Sequence, residues 1–409
     1  MSGFTRRHLI GTGAALGASF AFRLHAAPRG PSVVVIGAGA FGGWTALQLV
    51  RRGARVTLVD AWGPGNARAS SGDETRVIRS IYGASHLYTG MSLDSLVRWR
   101  ENERRWGKTI FHRTGALWML AREDSPYETK ALPLLREMKV PFEELSVDQA
   151  SRRWPQVSFG GVARVIHEPE AGYLEARRGC EAVFESFMKE GGHYRVARAT
   201  PGEMTRGEMS SVMLDGTESL KASRYVFACG AWISRILPLP KATVRPTRQE
   251  VFYFGTPGGD DVFGEAKMPV WIDDAAELYY GIPGNSGRGF KVACDTRGPL
   301  VADPTTEERR VSDTGLAAAR AMLAKRFPLL SNAPLVDSRV CQYENSPDEN
   351  FILDRHPNAA NVWIAAGGSG HGYKHGPMVG EIVANAVLGK RQPPAEFSLA
   401  RFEKGPEGS

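Results

Sequence analysis

Residues 32–42 have the sequence SVVVIGAGAFG, a short β-branched run followed by three glycines spaced as GxGxxG. The run 32–36 predicts a buried strand, and the periodic apolar residues after the glycines predict a helix. In such a turn Gly37 permits a tight bend, Gly39 lets the backbone approach a pyrophosphate, and Gly42 lets helix and strand pack closely. The phosphates would lie at the positive end of the helix dipole.

A second predicted strand follows this turn and helix. Residues 55–60 have the sequence RVTLVD, just after Gly53, which stands where a glycine commonly ends a helix. Asp60 is placed to accept hydrogen bonds from ribose hydroxyls and would repel a 2′-phosphate, which disfavours NADP. A glycine motif in this strand–turn–helix–strand–acid context predicts dinucleotide binding, with FAD and NAD both open at this point.

The composition predicts a globular enzyme. The chain has 409 residues and a formal net charge of +7, to which Arg6, Arg7 and Arg23 contribute before any acidic residue occurs. It has no long run of basic residues and no nucleic-acid motif, so a nucleic-acid partner is not expected. The four cysteines are far apart and form no CxxC pair, so no metal site is expected.

The N-terminal segment resembles an export signal. Basic residues at 5–10 (TRRHLI) precede an uncharged stretch, and small residues follow before Pro28. The stretch is shorter than the roughly 20 residues that a membrane-spanning helix needs, so no stable membrane span is expected. The pair Arg6-Arg7 resembles the twin-arginine signal, which predicts export to the bacterial periplasm by the twin-arginine machinery. An ordinary N-terminus with two adjacent arginines stays open as the alternative. We exclude residues 1–28 from the fold.

Four further segments distinguish FAD from NAD. They are ASSGDETRVIR (69–79), YVFACGAW (225–232), CQYENSPDENFILD (341–354) and GGSGHGYK (367–374). Together with the glycine motif they resemble the monomeric sarcosine oxidase group of the D-amino-acid-oxidase-like flavoproteins, which includes N-methyltryptophan oxidases. The resemblance extends from about residue 32 to 390 and implies FAD.

The resemblance implies how the flavin is held. Cys341 stands where this group attaches the flavin 8α-methyl through a thioether, so the FAD is expected to be covalent; a small buried hydrophobic residue is the alternative. The loop 367–372 is expected to lie against the flavin ring, with the positive end of the helix that opens near Pro377 directed towards it. Besides the first glycine motif and Asp60, the implied cofactor-binding residues are Ser70, Ser71, Arg76, Gly230, Trp232, Cys341, Gly370, His371, Gly372 and Lys374.

The same resemblance assigns residues to the substrate side. Arg79 and Lys374 match the pair that holds the substrate carboxylate, by a guanidinium fork and a point charge. Lys291 matches the lysine that promotes electron transfer to O₂ by stabilising superoxide. Tyr280 and Tyr343 match tyrosines that line the pocket. A surface ion pair for Arg79 and simple packing for the tyrosines stay open.

Two departures from the family pattern concern the substrate. Asp295 stands where the family has a histidine, and Ser70 and Ser71 replace paired histidines, with an extra residue before Thr75. A carboxylate would discourage a second substrate carboxylate and would favour a basic substrate. Sarcosine itself is therefore not assumed.

We expect an α/β (α+β) protein of two domains. A Rossmann-type FAD-binding domain is discontinuous in sequence and comprises 31–107, 160–240 and 338–409. A substrate domain with a mixed or antiparallel sheet comprises 108–159 and 241–337. The ligand is expected between the domains, over the flavin.

The implied reaction is oxidation of the C–N bond of a secondary or N-methyl amino acid, or of a related small amine, to an imine. Hydride transfer to flavin N5 would precede reduction of O₂ to H₂O₂. Two alternatives stay open. One is a dehydrogenase of the same fold that passes electrons to a quinone or a protein, and the other is a non-catalytic exported FAD-binding protein.

Overall fold

The computed structural model describes residues 30–237, 239, 244–258 and 261–402. The export segment predicted at 1–28 therefore lies outside the described residues.

The strands within these ranges are named here in chain order. They are β1 (Ser32–Ile36), β2 (Arg55–Asp60), β3 (Thr75–Ile78), β4 (Phe111–His112), β5 (Ala116–Leu120), β6 (Glu143–Leu145), β7 (Arg164–Glu168), β8 (Gly172–Glu175), β9 (His193–Val196), β10 (Ala199–Pro201), β11 (Met204–Thr205), β12 (Glu208–Met209), β13 (Val212–Leu214), β14 (Glu218–Leu220), β15 (Arg224–Phe227), β16 (Arg245–Phe254), β17 (Val270–Asp274), β18 (Leu278–Ile282), β19 (Phe290–Cys294), β20 (Leu335–Asn345), β21 (Ile352–Arg355) and β22 (Val362–Ala366).

The α-helices are α1 (Ala40–Arg51), α2 (His86–Trp106), α3 (Pro126–Glu137), α4 (Val147–Arg153), α5 (Ala176–Lys189), α6 (Ile233–Ile236), α7 (Asp313–Arg326) and α8 (Gly376–Val387). Short 3₁₀ turns lie at Gly230–Trp232, Pro328–Leu330, Tyr373–His375, Ala395–Phe397 and Leu399–Phe402. In the part of the chain that the structure describes, no helix has the length and apolar character needed to cross a membrane.

A six-stranded sheet has the order β21-β22-β15-β1-β2-β9. All its neighbouring strands pair in parallel except β21, which is antiparallel to β22. In register, Ile36 at the end of β1 lies between Val59 and Phe227. The carboxyl ends of β1, β2 and β15 therefore meet at one edge, which is where open α/β sheets bind ligands.

Both faces of β1 are covered, which explains its uninterrupted apolar sequence. Val33 and Val35 pack in a core with residues of α1, α5 and α8, whereas Val34 and Ile36 pack in a second core with residues of β13 and β15. This alternation follows from the two-residue period of a strand.

An eight-stranded sheet has the order β20-β16-β19-β18-β17-β5-β7-β6. Its strands are antiparallel except for the parallel pair β17 and β5. The longest pairing joins β16 to β20 and places Gln249 opposite Cys341. Its hydrophobic residues pack against α7 on one side and against α3 on the other.

Strand β3 lies between these two layers. It pairs with β8 in a separate three-stranded sheet, β3-β8-β4. Ile78 belongs to the core below the six-stranded sheet, whereas Val77 packs against a core of the eight-stranded sheet. Arg76 directly precedes these two residues in β3, and its guanidinium reaches Cys341 of β20, so it lies at the junction of the layers.

This architecture confirms the predicted class, a Rossmann-type sheet beside a mixed, largely antiparallel one. Two strands of the eight-stranded sheet fall wholly or partly in segments predicted for the FAD-binding domain. Strand β7 (Arg164–Glu168) lies within 160–240, and β20 (Leu335–Asn345) continues past residue 338. The reason for β20 is its pairing with β16 along nearly its whole length. The domain limits stay predictions.

Candidate active site and cofactor cavity

The first glycine turn forms a cradle that side chains would fill. Gly37 has φ +103°, and a Cβ there would lie 2.2 Å from the carbonyl oxygen of Ala228. A Cβ at Gly42 would lie 1.9 Å from the carbonyl oxygen of Gly37. Helix α1 begins at Ala40 without an acidic residue in its first turn, so its positive end is open to an anion. The Ala40 N–H donates to Ser71 Oγ at 3.1 Å.

Asp60 is held at the end of β2 by backbone amides. Its Oδ2 accepts from the Ala38 N–H at 2.8 Å. Its Oδ1 accepts from the N–H groups of Trp62 and Gly63, at 2.8 and 2.7 Å. The carboxylate is therefore fixed beside the glycine turn, where a ribose diol would meet it.

A cavity of about 280 Å³ connects the two glycine-rich regions of the chain. Its wall extends from Asp60 and Thr200, past the glycine turn, to Tyr343 and Gly370. Predicted cofactor-binding residues on this wall are Gly37, Gly39, Asp60, Ser70, Ser71, Arg76, Gly230, Trp232, Gly370 and Gly372. Gly42 packs behind the turn instead. The cradle at one end and the bare backbone at the other fit a dinucleotide that carries a flavin.

Lys291 lies in a buried cluster of charges that the sequence did not predict. Its Nζ donates to Asp73 Oδ2 at 2.6 Å and to the carbonyl oxygen of Thr75 at 2.9 Å. Asp73 also accepts hydrogen bonds from Arg76 and from the Tyr253 hydroxyl. Burial acts to raise the pKa of Asp73, but Lys291 and Arg76 outweigh it and hold that pKa well below its usual range. Burial also lowers the pKa of Lys291, against the attraction of Asp73.

Cys341 is buried beside this cluster. Its Sγ lies 3.7 Å from Arg76 Nη2. The next residue, Gln342, accepts a hydrogen bond from Ser70 Oγ at 2.6 Å. Burial and the charge of Asp73 raise the pKa of the Cys341 thiol, whereas Arg76 and Lys291 act to lower it. Ser70, Arg76, Lys291 and Cys341, predicted from distant segments, are thus brought together.

Arg79 and Lys374 meet at Tyr82. The Arg79 guanidinium lies 4.6 Å from the centre of the Tyr82 ring and 5.0 Å from that of Trp118, and it donates to the carbonyl oxygen of Ile81. Lys374 Nζ donates to the Tyr82 hydroxyl at 2.8 Å. Burial, with Arg79 nearby, lowers the pKa of Lys374 well below its usual range.

Tyr82 also receives the ring of His375, whose Nε2 lies 2.9 Å from the hydroxyl. Lys374 Nζ makes a second hydrogen bond, to the carbonyl oxygen of His371 at 3.1 Å. The His371 ring itself lies against the carbonyl oxygen of Glu349, and burial lowers its pKa to about 3. His371 is therefore a neutral neighbour of the two cations.

Tyr280 and Tyr343 both lie near Arg76. The Tyr343 hydroxyl donates to Asp295 Oδ1 at 2.9 Å, and Tyr280 interacts with Tyr343. Asp295 Oδ2 lies 4.0 Å from Arg297, and its side chain is 37% exposed. Asp295 also interacts electrostatically with Arg79 and Lys374. The substituted carboxylate therefore faces the same space as the two predicted substrate-binding cations.

Sequence reasoning missed Asp73, Tyr82 and Glu344. Asp73 lies within the segment 69–79. The signal that could have identified it is the position of this acid, three residues before Arg76, which was predicted to bind the cofactor. Glu344 is a charged residue in the buried second half of β20, and it lines the cavity. Tyr82 follows Arg79 closely, but nothing in the sequence indicates that Lys374 reaches it.

Comparison with known proteins gives one family. A family profile described as FAD dependent oxidoreductase matches residues 32–386. The chain is 30% identical over 362 residues to monomeric sarcosine oxidase of Bacillus sp. (strain B-0618), covering 87% of this chain and 92% of the relative. It is 26% identical over 381 residues to N-methyl-L-tryptophan oxidase of Salmonella dublin, covering 91% and 99%.

Two solved structures share the fold. L-proline dehydrogenase from P. horikoshii superposes with a TM-score of 0.82 at 21% identity, over 92% of this chain and 99% of that one. Fructosamine oxidase (Amadoriase II) from Aspergillus fumigatus superposes with a TM-score of 0.75 at 21% identity, over 90% and 88%.

Proposed function

Because the chain belongs to the FAD dependent oxidoreductase family, its cofactor is FAD, and we propose that it oxidises the C–N bond of a secondary or N-methyl amino acid or of a related small amine. The substrate loses two electrons and two protons and becomes an imine, and O₂ takes up both to give H₂O₂. Water then hydrolyses the imine to a carbonyl compound and an amine. Bound FAD supplies the two-electron acceptor.

The observation that carries this proposal is the pair Arg79 and Lys374. Lys374 is buried and Arg79 is partly buried, and among the described residues neither lies within ion-pairing distance of an acidic side chain; they donate to the carbonyl oxygens of Ile81 and His371 and to the Tyr82 hydroxyl. Glu168 and Asp295 act on these two groups without direct contact, so an anion bound between them would compensate positive charge that is costly to bury. A substrate carboxylate fits this role through the Arg79 fork and the Lys374 charge.

The same cations prepare the amine for oxidation. Only a neutral amine has the nitrogen lone pair that assists departure of the hydride. Desolvation and nearby positive charge lower the pKa of an amine, and Arg79 and Lys374 supply the charge. Asp295 acts in the opposite direction at the Tyr343 end of the pocket. We therefore expect preference for a substrate whose second polar group is neutral or basic.

Lys291 and Cys341 complete the proposed site. Lys291 is the buried cation that favours electron transfer to O₂, and its hydrogen bonds to Asp73 and Thr75 fix its position. Cys341 would form the thioether to the flavin: its S–H bond and one C–H bond of the 8α-methyl group are exchanged for a C–S bond, and the two electrons and two protons released are taken up by O₂, by way of the flavin, to give H₂O₂. The approach of Arg76 supports this role, because its guanidinium favours the thiolate against burial and Asp73, which together raise the pKa of the thiol.

We further propose that the protein folds with FAD in the cytoplasm and is then exported to the bacterial periplasm through the twin-arginine machinery. Arg6 and Arg7 and the uncharged stretch after them support this proposal.

The test is H₂O₂ release with a panel of N-methyl, cyclic and primary amino acids and simple amines. We expect turnover of at least one secondary amino acid. Replacing Arg79 by Lys removes the guanidinium fork and should raise KM by roughly tenfold or more, the scale of one charge-assisted hydrogen bond. The matched control is Arg98→Lys in α2, where the partner is Glu381 of α8; its KM should not change. Reduction by the amine with an artificial acceptor but no peroxide would instead identify a dehydrogenase.

A further inference from the structure

Glu344 is a buried acid on the wall of the cofactor cavity. It lies near the end of β20 and is 9% exposed. Its Oε2 atom is buried and has no hydrogen-bond partner among the described residues. A buried carboxyl oxygen without a partner loses its hydration without compensation, and such a group calls for a ligand or a water.

The surroundings of Glu344 are built to admit its carboxyl group. A Cβ at Gly368 would lie 2.9 Å from Glu344 Oε1, so any larger residue at 368 would displace the carboxyl. The backbone amides of Gly367 and Gly368 act on the carboxylate and lower its pKa, but burial outweighs them and raises that pKa to about 7. One oxygen is thus supported by the loop and the other is left unpaired.

The position of Oε2 along the cavity identifies the cofactor group that it meets. A Cβ at Gly230 would lie 3.9 Å from Oε2. Gly230 lies two residues after Ala228, whose carbonyl oxygen lies against Gly37 of the turn expected to hold the diphosphate. On the other side, Tyr343 and Gly370 mark the flavin end. Glu344 therefore lies between the diphosphate turn and the flavin end, where FAD has its ribityl chain.

We propose that Glu344 Oε2 accepts a hydrogen bond from a ribityl hydroxyl of FAD. A hydroxyl is the matching group because it donates, whereas a phosphate oxygen carries negative charge and would repel a carboxylate. The contact satisfies the unpaired oxygen when the cofactor binds. It rests on FAD as the cofactor and is independent of the amine that is oxidised.

The test measures FAD affinity, in protein that carries Cys341→Ala so that the flavin can exchange whether or not it is normally attached. Glu344→Leu keeps the volume and removes both oxygens. We expect its Kd for FAD to rise about tenfold or more, the scale of a hydrogen bond to a charged group. Its apo form should unfold at the same or a higher temperature, since a buried unpaired carboxyl is removed. Gly368→Ala should also weaken FAD binding, by displacing the carboxyl without removing it.

Cofactor analogues that each lack one ribityl hydroxyl identify the contact. For one analogue, the Kd with the Cys341→Ala parent should be about as high as the Kd of FAD with the Glu344→Leu variant. The Glu344→Leu variant should bind FAD and this same analogue with equal affinity. Tyr225→Phe is the control, because Tyr225 is a buried residue of β15 whose hydroxyl bonds to Ser210 and Ala222; it should leave FAD affinity unchanged. The proposal fails if Glu344→Leu binds FAD as tightly as the parent, or if its loss is the same for FAD and for every analogue.

Discussion

Asp73 shows how one carboxylate organises the residues around it. Lys291, Arg76 and Tyr253 all donate to it, and both Asp73 and Lys291 are almost completely buried. The cluster of one acid and two cations keeps a net positive charge. The hydrogen bonds of Asp73 hold Lys291 in one position, which is the preorganisation that electrostatic catalysis requires.

Replacing Lys291 by Met should slow reoxidation of the reduced enzyme by O₂ about 10²-fold or more, the scale of losing one preorganised charge. Anaerobic reduction by substrate should suffer less, because the carboxylate partners Arg79 and Lys374 are kept. Stopped-flow spectroscopy measures the rates of reduction and reoxidation separately. A loss of folded protein would change only the amplitudes of the absorbance changes and not these rates. Lys374→Met is the matched control and should slow reduction instead. A normal oxidative rate with a collapsed reductive rate would reassign Lys291 to the substrate.

The thioether at Cys341 predicts a direct chemical result. Acid-precipitated protein should keep its yellow colour, and digestion should yield a flavin-bearing peptide that contains Cys341. Cys341→Ala should release its FAD on precipitation, whereas Cys180→Ala, at another buried free cysteine, should retain it. Quantitative release of FAD from the unaltered protein would refute covalent attachment.

At the scale of elements, α1 packs so closely against the glycine turn that a Cβ at Gly42 would overlap the carbonyl oxygen of Gly37. Helix α1 lies against β1, α5 and α8, and its first turn follows the cradle directly. Two neighbouring glycines of this helix differ sharply in the space around them. Gly42 has no room for a methyl group, whereas a Cβ at Gly43 would lie no closer than 3.4 Å to Val183 Cγ1.

This difference gives a matched pair of variants. Gly42→Ala should lower stability by about 1–3 kcal/mol through overpacking and should impair FAD retention, because α1 must move away from the turn. Gly43→Ala should be neutral or stabilising, since alanine favours a helix over glycine by about 1 kcal/mol. Thermal unfolding and flavin content measure both effects. Equal behaviour of the two variants would contradict the packing described for Gly42.

At the scale of the whole molecule, the site is assembled from both layers. Asp60 and the first glycine turn come from the six-stranded sheet, Cys341 and Lys291 come from the eight-stranded sheet, and Arg76 comes from the strand between them. Small displacements of one layer against the other would therefore separate the cofactor from the residues that act on it. For the proposed export, folding around the cofactor before transport would keep the two layers together.

Export gives the prediction at this scale. Changing Arg6 and Arg7 together to Lys should leave active, FAD-containing enzyme in the cytoplasm, because the twin-arginine route requires the paired arginines. Cell fractionation with a peroxide assay measures the distribution. Changing Arg51, the last residue of α1, and Arg52, which follows it, to Lys is the control and should leave the distribution as it was. Normal periplasmic activity of the first variant would show that another route is used.

The sequence predicted those parts of the fold and site that depend on local pattern. The glycine turn, Asp60 and the class of fold follow from strand and helix periods and from backbone requirements at single residues. The partners of the charged residues do not, because Lys291 meets Asp73 and Lys374 meets Tyr82 across more than 200 residues of chain. The sheet that contains Cys341 was equally hidden, since the pairing of β20 with β16 depends on register.

The order of strands in the six-stranded sheet has a consequence for the time course of synthesis. Strand β22 is among the last made, yet it pairs with β15 near the centre of the sheet, and the loop that follows it forms the flavin end of the cavity. Translation at about 5–20 residues per second places tens of seconds between the emergence of β1 and that of β22. During this interval the leading segment is already outside the ribosome while FAD has no complete site to bind. A mechanism that delays transport until synthesis of the chain is complete would therefore determine how much FAD-containing enzyme is formed.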